Sequence, residues 1–170
     1  MLKAVGSVLL LCGCIWIGMM NVKQMDKRLK ILRSLLNALE VMEREMSFSM
    51  PLLEDLLICV SRLSEGEVRR FLSFCSNELK NESGNLFCEI WNRAAYEHLA
   101  ILKREDLDHV LALGNVLGRY DSDGQRQAIC HAHAAIKQIL LRAETERTSQ
   151  GKVYKAISAT VGVFLVILLL

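Results

Sequence analysis

Cysteine and histidine are good zinc ligands, and the run Cys130-His131-Ala132-His133 brings them closest together in this chain. On a helix Cys130 and His133 share a face, but His131 points about 100° away, and no second ligand pair stands at metal spacing. The run keeps a metal- or redox-sensing reading as an alternative and no more. Asp121-Ser122-Asp123-Gly124 resembles the opening of a calcium loop. Its glycine falls at the fourth position instead of the sixth, and Ala132 replaces the closing glutamate, so calcium is rejected. Glu105, Asp106 and Asp108 cluster where a helix should begin, and the macrodipole is sufficient reason for them. There is no glycine-rich phosphate loop and no nucleophile elbow. Neither catalysis, a cofactor nor a resident metal is expected. His98 and His109 stand alone and read as surface or boundary residues.

The remaining cysteines point the same way. Cys12 and Cys14 lie inside an apolar run, and Cys59, Cys75 and Cys88 stand, like Cys130, at long, unmatched spacings on helix-like segments. Buried, reduced thiols are expected instead of a disulfide framework. The 170 residues are 52% hydrophobic with one proline, which leaves room for one modest domain. Charge is nearly balanced, at 21 Lys+Arg against 19 Asp+Glu, with acids and bases interleaved, so a nucleic-acid partner is not expected. All 19 acids, and every base except Lys3 and Lys155, lie between Asn21 and Tyr154.

The apolar excess sits at the two ends. Ala4 to Met20 has no charge and would make roughly 25 Å of helix, enough for a hydrocarbon core. Cleavage is the competing reading, because Leu11-Cys12-Gly13-Cys14 has the outline of a lipoprotein signal. Against it, the apolar run continues to Met20, and Lys23, Lys27, Arg28, Lys30 and Arg33 follow, a cluster that opposes export. Ala156 to Leu170 is also uncharged and spans if Val153 and Tyr154 join it while Lys152 and Lys155 snorkel. The basic residues flank the inner edges of both runs, so residues 21–154 are expected in the cytoplasm and both termini outside. The domains are then an N-terminal transmembrane helix (1–20), a cytoplasmic helical bundle (21–154) and a C-terminal transmembrane helix (155–170).

No segment of useful length alternates with period two, so the fold class is all-α. Val22, Met25, Leu29, Leu32, Leu36 and Leu39 form one stripe, and Ile129, Ala132, Ile136, Ile139 and Ala143 form another. These two seams could bury against each other antiparallel. Between them Pro51 suits the first turn of a helix, and Asn81 to Asn85 reads as a turn. Ser64-Glu65-Gly66-Glu67 and Ser122-Asp123-Gly124-Gln125 match the capping box. The punctuation gives six helices, at 21–47, 50–63, 65–80, 85–101, 104–119 and 122–154, the last continuing toward the C-terminal run. Phe71, Leu72, Phe74 and Cys75, and Leu86, Ile90, Trp91 and Ala94, are core anchors of the third and fourth.

One stretch is more specific: Leu113-Gly114-Asn115-Val116-Leu117-Gly118-Arg119-Tyr120-Asp121, followed by Gln125. It resembles the loop region of the stage III sporulation protein AB family. Trp16-Ile17-Gly18, Lys152-Val153-Tyr154-Lys155 and Glu45-Met46-Ser47-Phe48-Ser49-Met50-Pro51-Leu52 are similar to that family at corresponding places. Met50 departs, standing where a threonine cap is commoner. The resemblance implies a non-enzymatic part of the channel between mother cell and forespore, in the mother-cell membrane around the forespore. That family is in turn similar to the platform protein F of type II secretion and pilus systems, whose cytoplasmic domain is a six-helix bundle above a hexameric ATPase. By that analogy the partners would be the secretion-type ATPase, stage III sporulation protein AA, together with other stage III channel proteins and the lipid bilayer. Self-association stays open, and a generic two-span secretion or assembly factor is the alternative. Gly114, Gly118, Arg119, Asp121 and Gln125 are the structural or partner-contact motif. The glycines allow close helix approach or a left-handed cap. Arg119 either staples the bundle through Asp121 or a nearby acid, or forks onto a partner carboxylate.

Overall fold

The computed structural model describes residues 2–49, 51–81, 86–119 and 122–169; within these, the side chains at 2–15, 17, 18, 21, 122, 150–159 and 161–169 are not described. Among the described residues there are six α-helices and no strand: α1 Leu2–Phe48, α2 Leu53–Leu63, α3 Gly66–Lys80, α4 Phe87–His98, α5 Arg104–Gly114 and α6 Ser122–Leu169. Contacts divide the chain into two units, Lys30–Leu140 and Met1–Leu29 with Leu141–Leu170. Among the described residues no helix is long and apolar enough to cross a membrane. The two expected spans, 1–20 and 155–170, lie almost wholly outside the residues whose side chains are described.

In the unit Lys30–Leu140 each short helix buries residues at helical spacing. α3 turns Val68, Phe71, Leu72, Cys75 and Ser76 inward, and α5 does the same with Asp106, Leu107, Val110, Leu113 and Gly114. Consecutive helices α2 to α5 pack on one another in chain order. The α3–α4 pair is further joined by Arg93, which donates to Glu78 at 2.6 Å and lies 5.2 Å over the Phe74 ring. From α1, Leu35, Leu39 and Met42 reach the same core as Ala132 and Ile136 of α6. These residues line a narrow void of about 20 Å³, far below the several hundred Å³ of a ligand pocket.

The seams differ in detail from the expected stripes. Leu36 and Ile139 are only half-buried, while Leu35 and Leu140 occupy the core. α1 faces several neighbours at once, so its buried face, through Ile31, Leu32, Leu35, Ala38, Leu39, Met42 and Met46, is broader than a two-helix seam. In the unit Met1–Leu29 with Leu141–Leu170, α1 and α6 are tied by ion pairs. Arg28 reaches Glu146 at 3.0 Å, and Arg147 reaches Asp26 at 2.8 Å. The partners run in opposite chain directions, so the two helices are antiparallel there.

Several helix ends need correction. Pro51 precedes the N-cap Leu52 and does not sit in the first turn; both residues stay outside α2, which opens with Glu54 and Asp55 near its dipole. Ser64 does not cap α3: its hydroxyl donates back to the Val60 carbonyl at 2.8 Å and closes α2 instead. Gly66, at φ +59°, then turns the chain into α3. α4 stops at His98, and Leu99 and Leu102 in the following turn are tucked into the core. The expected 81–85 turn falls mostly on undescribed residues, as does the departure at Met50.

Candidate functional site

α5 ends at Gly114, not at residue 119. Beyond it the chain continues in tight turns: the Asn115 N–H donates to the Ala112 carbonyl, Val116 and Leu117 to Leu113, and Arg119 to Val116 at 3.2 Å. At the last residue of α5 the helix meets α4. The Trp91 indole, 2% exposed, lies against the backbone at Gly114, and a Cβ there would clash with the ring, 2.6 Å from Cγ and 2.9 Å from Nε1. The indole N–H donates to the Val110 carbonyl at 2.7 Å, one helical turn earlier. Phe71 meets the ring edge-on at 4.6 Å, and Phe87 lies tilted against it at 5.6 Å. Only glycine lets α5 come this close.

Gly118 solves a different problem. Its φ of +78° reverses the chain after the buried Leu117, a conformation open to glycine at little cost. A Cβ would come within 3.1 Å of a Leu53 methyl at the start of α2. The Gly118 N–H donates to the Gln125 carboxamide oxygen at 3.4 Å, which brings Gln125 of α6 back to the turn. Arg119 is exposed and, among the described residues, has no ion-pair partner. Asp121, its proposed staple, and the Ser122 side chain of the expected capping box lie outside what is described. The structure thus brings Gly114, Gly118 and Gln125 to one joint where α2, α4, α5 and α6 meet, and leaves Arg119 on its surface.

Spacing alone missed two features. Trp91 was legible as a core anchor, but its contact with Gly114 joins residues on different helices and has no local signal. Asp106 is 2% exposed and accepts the Lys103 N–H at 3.2 Å, closing the α5 N-terminus. Its position three residues past the N-cap was the available sign.

The residues that could have held metal are dispersed. Cys130 and His131 are exposed and His133 is half-buried. Among the described residues no group of three or more His, Cys, Asp or Glu side chains is gathered in metal-binding range. The described cysteines are free thiols, but only Cys75 is buried as expected; Cys59 and Cys88 are half-buried and Cys130 is exposed. Burial pushes the Cys75 thiol up to about 12 and makes it a poor nucleophile. His98 is half-buried, its ring 5.7 Å from Phe74.

What these residues define is a six-helix, all-α bundle whose organised constellation is a packing joint, with no assembled reaction centre among the described residues. The chain belongs to the stage III sporulation protein AB family, whose model matches residues 3–170. A solved stage III sporulation protein AB is similar in fold, with a TM-score of 0.64 at 20% identity, covering 72% of this chain and 98% of that one. No curated protein gives a match to the chain.

Proposed function

We propose that the chain is a non-enzymatic platform component of the sporulation channel between mother cell and forespore. In this reading it docks the secretion-type ATPase of that machinery, stage III sporulation protein AA, and couples it to assembly in the membrane with other stage III proteins. One observation carries the proposal: the family match runs from residue 3 to residue 170, through both apolar ends and the bundle between them. The apolar runs 1–20 and 155–170 anchor the protein in the mother-cell membrane around the forespore, and the bundle lies in the cytoplasm. The five bases from Lys23 to Arg33, just inside the first run, support that orientation. Among the described residues the core encloses only a void of about 20 Å³, which suits a surface for docking better than a site for turnover.

Deleting the gene in its spore-forming host tests the sporulation role. Loss of viable spores is expected, and normal viable spores would refute it. Full-length protein in nanodiscs should also bind the purified ATPase; absence of binding with and without nucleotide removes the docking role.

A further inference from the structure

Within the unit Met1–Leu29 with Leu141–Leu170, α1 turns one side to α6. Arg28 and Asp26 reach Glu146 and Arg147 at 3.0 and 2.8 Å, Leu29 is buried, and Val22 and Met25 are half-buried. Trp16, Met19, Met20, Lys23 and Lys27 are all exposed. Their spacing gathers these five in an arc of about 100° on the other side of the helix, over about 16 Å of its length.

This face is graded. Its apolar members come first, at the end of the uncharged run Ala4 to Met20, and its charges come last. A protein groove has no reason to sort apolar from basic along one axis, and a second copy of this chain packed in parallel would set lysine against lysine. A bilayer interface does sort them. Acyl chains give way to the level where an amphipathic ring such as Trp16 settles, and then to phosphates within reach of snorkelling ammonium groups.

The two lysines also lack a counter-ion of their own. The carboxylates of Asp26 and Glu146 are engaged by Arg147 and Arg28. Lys23 and Lys27 make no ion pair with any described residue. Folding therefore leaves two ammonium groups, one helical turn apart, for an anion from outside the chain.

We propose that Lys23 and Lys27, on the face headed by Trp16, bind the phosphate headgroups of anionic phospholipids, so that the protein gathers negatively charged lipid around its first helix. The inference rests on the membrane-anchored reading and adds to it a choice of lipid class. Each ammonium is drawn to the negative membrane surface and donates hydrogen bonds to phosphate oxygens.

The test uses full-length protein in vesicles of phosphatidylcholine mixed with phosphatidylglycerol, with brominated acyl chains on one lipid or the other. Bromine quenches an indole that it touches, so Trp16 reports which lipid is its neighbour, while the buried Trp91 adds a constant background. Phosphatidylglycerol should be preferred about fivefold at low salt, and the preference should shrink as salt is raised. Lys23→Gln with Lys27→Gln should bring the ratio close to one, and Lys23→Arg with Lys27→Arg should keep it. All four substitutions preserve helix propensity at exposed positions. Equal quenching by the two lipids in wild type would overturn the proposal and leave the membrane-anchored reading standing. A preference that survives in the glutamine variant would overturn it as well, because the lysines would not be its source. If neither brominated lipid quenches Trp16, the first apolar run is not in the bilayer, and the inference falls together with the reading on which it rests.

Discussion

Replacing Gly114 by alanine puts a methyl group where the Trp91 ring already sits. The indole must move, and its 2.7 Å bond to the Val110 carbonyl is lost with it. The expected cost is about 2–3 kcal/mol, read as a lower urea midpoint together with loss of the near-ultraviolet dichroism of Trp91. Gly118→Ala should cost about 1 kcal/mol, mainly for the left-handed backbone, because the Leu53 methyl it meets can shift. Arg119→Ala should leave the midpoint within about 0.5 kcal/mol of wild type, since the side chain is exposed without an ion pair to a described residue. A clear fall would restore the internal staple. Cys75 gives a pH signature. Its pKa rises from 9.0 to about 12 on folding, so the folded state holds the proton more tightly. The contribution to stability is therefore intact below pH 9 and lost as pH climbs from 9 toward 12. A Cys75→Ala variant should show a shallower alkaline decline in urea melts than wild type.

For the elements, most of the fold was legible in advance. Period and punctuation are local properties, and α2, α3 and α4 are placed by them within a few residues. The misses have physical causes. Leu113, Val116 and Leu117 keep helical apolar spacing across Gly114, so apolar period alone carries the helix past its observed end. Ser64 offered its hydroxyl to either of two helices, and the Val60 carbonyl took it. The choice of Leu35 over Leu36 depends on how many neighbours α1 meets, which no single stripe encodes. The joint was half visible: the glycines stood out by type, while their contacts with Trp91 and Leu53 are tertiary. The α1–α6 pairing makes its own prediction. Arg28→Glu and Glu146→Arg should each lower the melting temperature, and the double swap should recover about 1 kcal/mol in a mutant cycle. No recovery would mean that the two charges act independently.

On the scale of the whole molecule the prediction concerns sidedness. Cys130 is exposed, so its reactivity reports location and not burial. On the proposed topology a membrane-impermeant maleimide should leave Cys130 unlabelled in intact cells and label it at once after lysis. Labelling in intact cells would invert the orientation. The chain also has only two tryptophans, and their surroundings are opposite: Trp16 is 70% exposed and Trp91 is 2% exposed. A Trp16→Phe protein therefore emits from one buried indole, lying on Gly114 and edged by Phe71. Its fluorescence is an optical gauge of the contact between α4 and α5. On the proposed docking, emission that stays blue and unquenched while the ATPase hydrolyses nucleotide would mean that the α4–α5 contact holds throughout the cycle; a cyclic red shift would mean that it opens and closes with each turnover.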